Sequence, residues 1–411
     1  MSTYHKTVLE NGLTIVSENI PHSRSVSLGV WVKSGSRHEN PDEMGLAHFV
    51  EHMLFKGTEK RTAKQIAQSL ESVGGYLNAY TTKEYTCYYA EVLDEFTPLA
   101  LDVLSDMICH STFPEGEVDK EREVVLDEIE SIEDTPDDLI QEVFTEKLYP
   151  DSSLGWPILG TAQSVRSIGR EELLNFYKMH YSTENIVISA VGKISHQELV
   201  EQCDTLFSPL PRRIAQTRQL VSAPKIGSGV YRIPRSVNQT HICLGTAALP
   251  YTHQKKYHLL ILNTLLGVGM GSRLFQNIRE KYGMAYSIYS YLDFFRDSGL
   301  MAIYLGTDRH KTSRAIELLE KEVRDLAAQP VDNSEMQQVK AQLKGGLLLA
   351  LENNTSRMNR LAKMEMYLGE LQSIDQIVHQ IERVTPESLL EFTNELLKKN
   401  PILSVIFTPA N

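Results

Sequence analysis

The sequence is short of cysteine, of long apolar runs and of basic charge, and each absence narrows what the chain can be. Its four cysteines, Cys87, Cys109, Cys203 and Cys243, lie far apart with no CxxC spacing. That pattern argues against a disulfide framework and a sulfur-ligated metal site, and leaves buried thiols in a reducing compartment as the expectation. No apolar stretch approaches membrane-spanning length, and the start, MSTYHKTVLE, lacks a basic region followed by an apolar core. A soluble cytoplasmic protein with no membrane partner is expected. Lys and Arg number 41 against 53 Asp and Glu, a formal net charge of -12, so nucleic acid is a poor partner.

What is present is ordinary globular material. Hydrophobic residues make up 42% and charged residues 23%, near the average for folded domains, and no segment is biased enough to be called disordered. A chain of 411 residues exceeds the roughly 250 to 300 that one hydrophobic core serves, so two domains are expected.

Alternating β-branched residues predict strands at Leu13–Ser17 and Val26–Val32, on either side of a turn at Pro21–Arg24. Apolar residues at three- and four-residue spacings predict helices over 46–56, 63–73, 97–110, 115–133 and 195–207. Paired strands are expected over 76–93, after Gly74 and Gly75, and a buried strand at Asn185–Val191. The stretch from Ser208 to Gly229 combines Pro, Arg and Gly without apolar periodicity and reads as a linker. Beyond it the order of elements repeats. A strand at His241–Ala247, a helix over 257–266 and strands from Ala285 and Gly299 answer those of the first half, which suggests duplication. Helices mixed with hairpins in both halves point to α+β layering.

The residues able to carry chemistry sit on the helix predicted over 46–56. His48 and His52, in HFVEH, lie four apart on one face, near enough to share an ion, and Glu51 lies on an adjoining face. This order, HxxEH, inverts the commoner HExxH and meets the same chemical requirement. Neutral imidazoles suit Zn2+, three protein ligands leave room for water, and an unligated carboxylate accepts the water's proton. Both histidines stand in an otherwise apolar run, Ala47, Phe49, Val50, Met53 and Leu54, where unpaired polar groups are costly. A third ligand must be an Asp, Glu or His on a separate element, and 115–133 offers several carboxylates that chemistry alone does not rank.

The segment GLAHFVEHMLFKGT, Gly45–Thr58, resembles the signature of the pitrilysin/insulinase family of inverted-zincin metallopeptidases, especially its branch like the mitochondrial processing peptidase. The resemblance implies a glutamate ligand about 75 residues beyond the second histidine, and residues 53–127 separate His52 from Glu128. EREVVLDE, Glu121–Glu128, matches the family's helix, in which another glutamate precedes the ligand by seven residues. Glu121 therefore shares a face with Glu128, and the resemblance gives it the task of orienting ligands or supporting catalysis. Glu123, Glu130 and Glu133 read as solvated charges.

GYLNAYTTKEYT, Gly75–Thr86, resembles the family's GGxxNAxT segment, an edge strand on which the substrate peptide adds as another strand. Asn78, Ala79 and Tyr80 are its implied substrate-binding residues; on composition alone the segment is an aromatic-rich hairpin. In the second half, LGVGMGSRLFQNIREKYGMAYS, Leu266–Ser287, resembles the family's non-metal domain and fits neither a P-loop nor GxGxxG. Arg279 and Tyr286 match the pair that steadies the scissile carbonyl or its oxyanion. By themselves they are a helix-surface arginine and a packed tyrosine. The helix over 257–266 has one histidine and no second ligand, so one Zn2+ per chain is implied.

The expectation is thus an α+β chain of two related domains, each a mainly antiparallel sheet packed with helices, forming half of a clamshell chamber. Residues 1–208 would be the zinc-binding catalytic domain, 209–228 the linker and 229–411 the related non-metal domain. Relatives with four such domains close a chamber within one chain. By resemblance, then, two copies of this chain would form a homodimer with Arg279 and Tyr286 completing the partner's site in trans, or the chain would pair with a metal-less paralogue. The activity implied is zinc-dependent endopeptidase action on short or unfolded peptides, with Glu51 as general base. The alternative is a non-catalytic structural or accessory subunit of the same fold, which the full set of ligands argues against.

Overall fold

Strands form where β-branched and aromatic residues alternate or run unbroken, and the unbroken runs lie deepest. The computed structural model describes residues 4–212 and 224–410. They form two compact units, the first drawn from Met1–Glu130, Trp156–Val221 and Leu349–Leu371, the second from Ser131–Gly155, Ser222–Leu348 and Gln372–Asn411.

The first unit is built on a six-stranded sheet. Its strands are β1 (Tyr4–Val8), β2 (Thr14–Asn19), β3 (Ser25–Val32), β4 (Tyr76–Thr81), β5 (Thr86–Leu93) and β6 (Ile186–Gly192), in the order β1-β2-β6-β3-β5-β4. Only β2 and β6 run parallel. The strands expected on either side of the Pro21–Arg24 turn therefore do not pair with each other, because β6 lies between them, parallel to β2 and antiparallel to β3. The reason is burial: all seven residues of β6 are buried, and a strand apolar on both faces belongs at the centre of a covered sheet.

Helices α1 (Leu46–Leu54), α2 (Ala63–Glu71), α3 (Thr97–His110) and α4 (Glu115–Glu133) follow in chain order. Leu28, Val30, Tyr88 and Ile188 share one apolar core with Phe49 and Val50 of α1 and Leu104 of α3. The helix Asn354–Leu368 packs on the opposite face through Met358 and Leu361, against Trp31, Cys87 and Val187.

The second unit repeats the plan with β7 (Gly229–Arg235), β8 (Thr240–Ala247), β9 (Ser287–Phe294), β10 (Gly299–Thr307) and β11 (Leu403–Pro409), in the order β7-β11-β8-β10-β9. With β1 set aside, the two orders correspond strand for strand, including one parallel pair each, β2 with β6 and β7 with β11. The helix Lys256–Gly267 packs on β9 as α1 packs on β4. Residues 213–223 of the expected linker lie outside the described residues. Among the described residues no helix is long and apolar enough to cross a membrane. All four cysteines are free thiols, with Cys87, Cys203 and Cys243 buried.

Candidate metal centre

Helix α1 holds polar atoms in an apolar seat. Leu46, Phe49, Val50, Met53 and Leu54 are at most 1% exposed, and each such burial contributes roughly 1.5 to 3 kcal/mol. Together they offset the cost of carrying two imidazoles and a carboxyl below the surface, which is about 1 to 3 kcal/mol for each unpaired polar group. Gly45 and Glu39 fix the helix start. Gly45 has φ 98, and a Cβ there would meet the Leu159 carbonyl oxygen at 2.6 Å, so the position requires glycine. The buried Glu39 carboxylate accepts the amides of Gly45 at 2.9 Å and Ala47 at 2.7 Å. Burial pushes its carboxyl up to about 8, with those two amides opposing the shift.

The His48 and His52 rings stand with centroids 4.5 Å apart. Glu128, on α4, brings Oε2 to 3.6 Å from His48 Nε2 and 3.7 Å from His52 Nε2. Those separations exceed good hydrogen bonds and approach the roughly 3.4 Å edge of a tetrahedron with zinc–ligand bonds of about 2.1 Å. The three donor atoms lie within 4.8 Å of one another, the one such group of His, Cys, Asp or Glu among the described residues. Burial, with His52 alongside, pushes His48 down to about 3. Its imidazole is therefore neutral, the form that ligates metals. His48 Nδ1 is buried without a hydrogen-bond partner among the described residues, and Nε2 is the atom turned to Glu128. Two imidazoles and one carboxylate from two helices form a donor set that fits Zn2+.

Glu51 is 8% exposed. Its Oε2 accepts the Thr81 hydroxyl at 2.5 Å. Burial pushes its carboxyl up to about 7, with the Thr81 hydrogen bond opposing, and a carboxyl that exchanges its proton near neutrality suits a general base. Glu121 is also buried. Its Oε2 lies 3.0 Å from His52 Nδ1 and its Oε1 2.6 Å from Lys56 Nζ. Glu123, Glu130 and Glu133 are exposed.

Asn78, Ala79 and Tyr80 lie on β4, an edge strand, where alternation sends successive side chains to opposite faces. Thr81 reaches Glu51, whereas Tyr80 points the other way, its hydroxyl donating to Asn359 Oδ1 at 2.9 Å. The Tyr80 side chain is thus on the far side of the sheet from Glu51. Asn78 is exposed, and its Oδ1 accepts the Ala79 amide at 2.8 Å. Sequence patterns pass over three residues of this neighbourhood. Thr81 and Lys56 sit inside the segments that carry the resemblance, one at the end of the NAxT pattern and one after the histidine helix. Glu39 lies in a charged loop where nothing local marks it.

In the second unit Arg279 occupies a π-helical turn, Phe275–Glu280, in which the Lys281 amide donates to the Gln276 carbonyl at 3.0 Å. Such turns recur at functional sites. The guanidinium lies 4.6 Å from the Phe275 ring centroid and 5.6 Å from that of Tyr286, within cation–π range. Tyr286 is 79% exposed.

Two imidazoles and a carboxylate converging beside a buried carboxyl base are what metal-assisted hydrolysis requires. Comparison with known proteins places the chain more closely. Residues 14–162 match the model of the Insulinase family, Peptidase family M16, and residues 167–343 match that of the Peptidase M16 inactive domain. The chain is 39% identical over 402 residues to a Bacillus subtilis protein named uncharacterized zinc protease YmxG, covering 98% of both chains. It is 38% identical over 413 residues to an uncharacterized zinc protease of Streptomyces coelicolor, covering 99% of this chain and 90% of the other. Its fold resembles the crystal structure of a protease from Helicobacter pylori, with a TM-score of 0.92 and 20% identity across the whole of both chains. The chain belongs to the insulinase family, peptidase family M16.

Proposed function

We propose that this protein is a zinc-dependent endopeptidase that hydrolyses short or unfolded peptides in the cytoplasm, as a member of the processing-peptidase-like branch. One Zn2+ per chain is held by His48, His52 and Glu128 in the domain of residues 1–208, while residues 229–411, beyond the linker 209–228, bind no metal. The observation that carries this reading is the convergence of three ligand atoms within 4.8 Å beside the buried carboxyl of Glu51. Zinc bound there would supply Lewis-acid polarisation of water and of the scissile carbonyl.

The chain's own residues do the rest. Thr81 occupies Glu51 Oε2, so Oε1 takes the proton from the attacking water and passes it to the leaving amine. The free edge of β4 pairs with the substrate backbone through Asn78, Ala79 and Tyr80, which selects extended peptides with little regard to side chains. Arg279 and Tyr286 donate to the developing oxyanion, in trans within a homodimer. Replacing Glu51 by Gln removes the base and keeps the shape. Glu51→Gln is expected to abolish cleavage of a quenched fluorescent peptide library while zinc content stays at the unsubstituted level; retained cleavage would refute the role of Glu51.

A further inference from the structure

Lys56 closes a chain of contacts that the hydrolytic role leaves unused. It stands just past the end of α1, beyond Phe55, and its amide donates back to the Met53 carbonyl at 3.0 Å. Its ammonium lies 2.6 Å from Glu121 Oε1, and Glu121 Oε2 lies 3.0 Å from His52 Nδ1. Both carboxylate oxygens are thus held, one by each partner, in a group whose side chain is 8% exposed. His52 in turn has Nδ1 fixed and Nε2 turned to Glu128.

We infer that Lys56 is a positioning residue of the metal centre, holding Glu121 so that the carboxylate fixes the His52 ring with Nε2 presented to the metal. The inference rests on the zinc reading above. Glu121 with one partner removed is a buried carboxylate with a free oxygen, and such a group turns towards water. The His52 ring then loses the acceptor that sets its tautomer and direction. Removing an outer partner of a metal-bound histidine costs about 10- to 100-fold in metal affinity. Lys56 stands one residue further out, so the lower end of that range is expected. A purely structural ion pair between the segment after α1 and α4 would change stability and leave zinc affinity alone.

The test uses the full chain, freed of metal and titrated with Zn2+ against a chromophoric chelator. Lys56→Met is expected to bind Zn2+ about ten-fold more weakly than the unsubstituted protein, and Lys56→Arg, which keeps a cationic donor, to restore the affinity. In a Glu121→Gln background, Lys56→Met is expected to cost nothing further, since its effect passes through the carboxylate. Lys56→Gln carries the same test should the Met variant fail to fold, with thermal unfolding of the metal-free proteins as the check. Unchanged affinity in Lys56→Met, or an undiminished loss in the Glu121→Gln background, overturns the role of Lys56. Unsubstituted protein that takes up no Zn2+ would instead overturn the metal reading, and the inference with it.

Discussion

Glu51, Glu121 and Glu128 are one side chain in three surroundings, and the proposed tasks follow those surroundings. Glu51 is buried with the Thr81 hydroxyl on one oxygen, Glu121 is buried between Lys56 and His52, and the Glu128 side chain is 42% exposed and faces both imidazoles. The spacing of His48, Glu51 and His52 is legible in the sequence because four residues make about one helical turn. Glu128 is not legible that way. The helix 115–133 presents many carboxylates, and only the family's spacing singles one out. Thr81 emerges only when β4 is laid beside α1. Its hydroxyl holds one oxygen of Glu51, and a hydrogen bond to a charged group contributes about 1.5 kcal/mol, or roughly ten-fold in rate. Thr81→Val is therefore expected to lower kcat about ten-fold with KM and zinc content unchanged, and Thr81→Ser to restore it; steady-state kinetics on one quenched peptide decides.

Among the elements, α3 and α4 run from Thr97 to His110 and from Glu115 to Glu133, as their apolar periodicity predicts. Helical spacing is a local signal, and these helices owe their bounds to it. The strand order is not local. Nothing near residue 186 marks β6 as the strand that separates β2 from β3, and nothing near residue 354 marks a helix that returns to the first sheet. The start of α1 also depends on a distant group, since Glu39 satisfies two amides of its first turn. Glu39→Ala leaves those amides unpaired in a buried setting, which costs about 2 kcal/mol. Chemical denaturation of metal-free protein is expected to show that loss. A value within about 0.5 kcal/mol of the unsubstituted protein, the range of an ordinary surface change, would mean that α1 is anchored by its apolar face alone.

For the whole molecule, duplication is the organising fact. With β1 set aside, the two sheets share one strand order, and among the described residues the histidine pair that converges with a carboxylate, His48 and His52, stands on the helix of the first. In the second, the corresponding helix offers His258, whose ring lies 5.6 Å from that of Phe392, and the proposed role of that half rests on Arg279 and Tyr286. If they serve a partner's metal, inactive Glu51→Gln and Tyr286→Phe chains should recover activity when mixed and allowed to exchange, because one site per mixed dimer is then whole. No recovery after proven exchange would place the pair in cis or outside the reaction.

The zinc content of purified protein bears most directly on the account. Elemental analysis of the unsubstituted chain, Glu51→Gln and Glu128→Gln should find one zinc per chain in the first two and loss of zinc from the third. Full zinc content in Glu128→Gln, or none in the unsubstituted protein, would contradict the assignment of His48, His52 and Glu128 as the ligands.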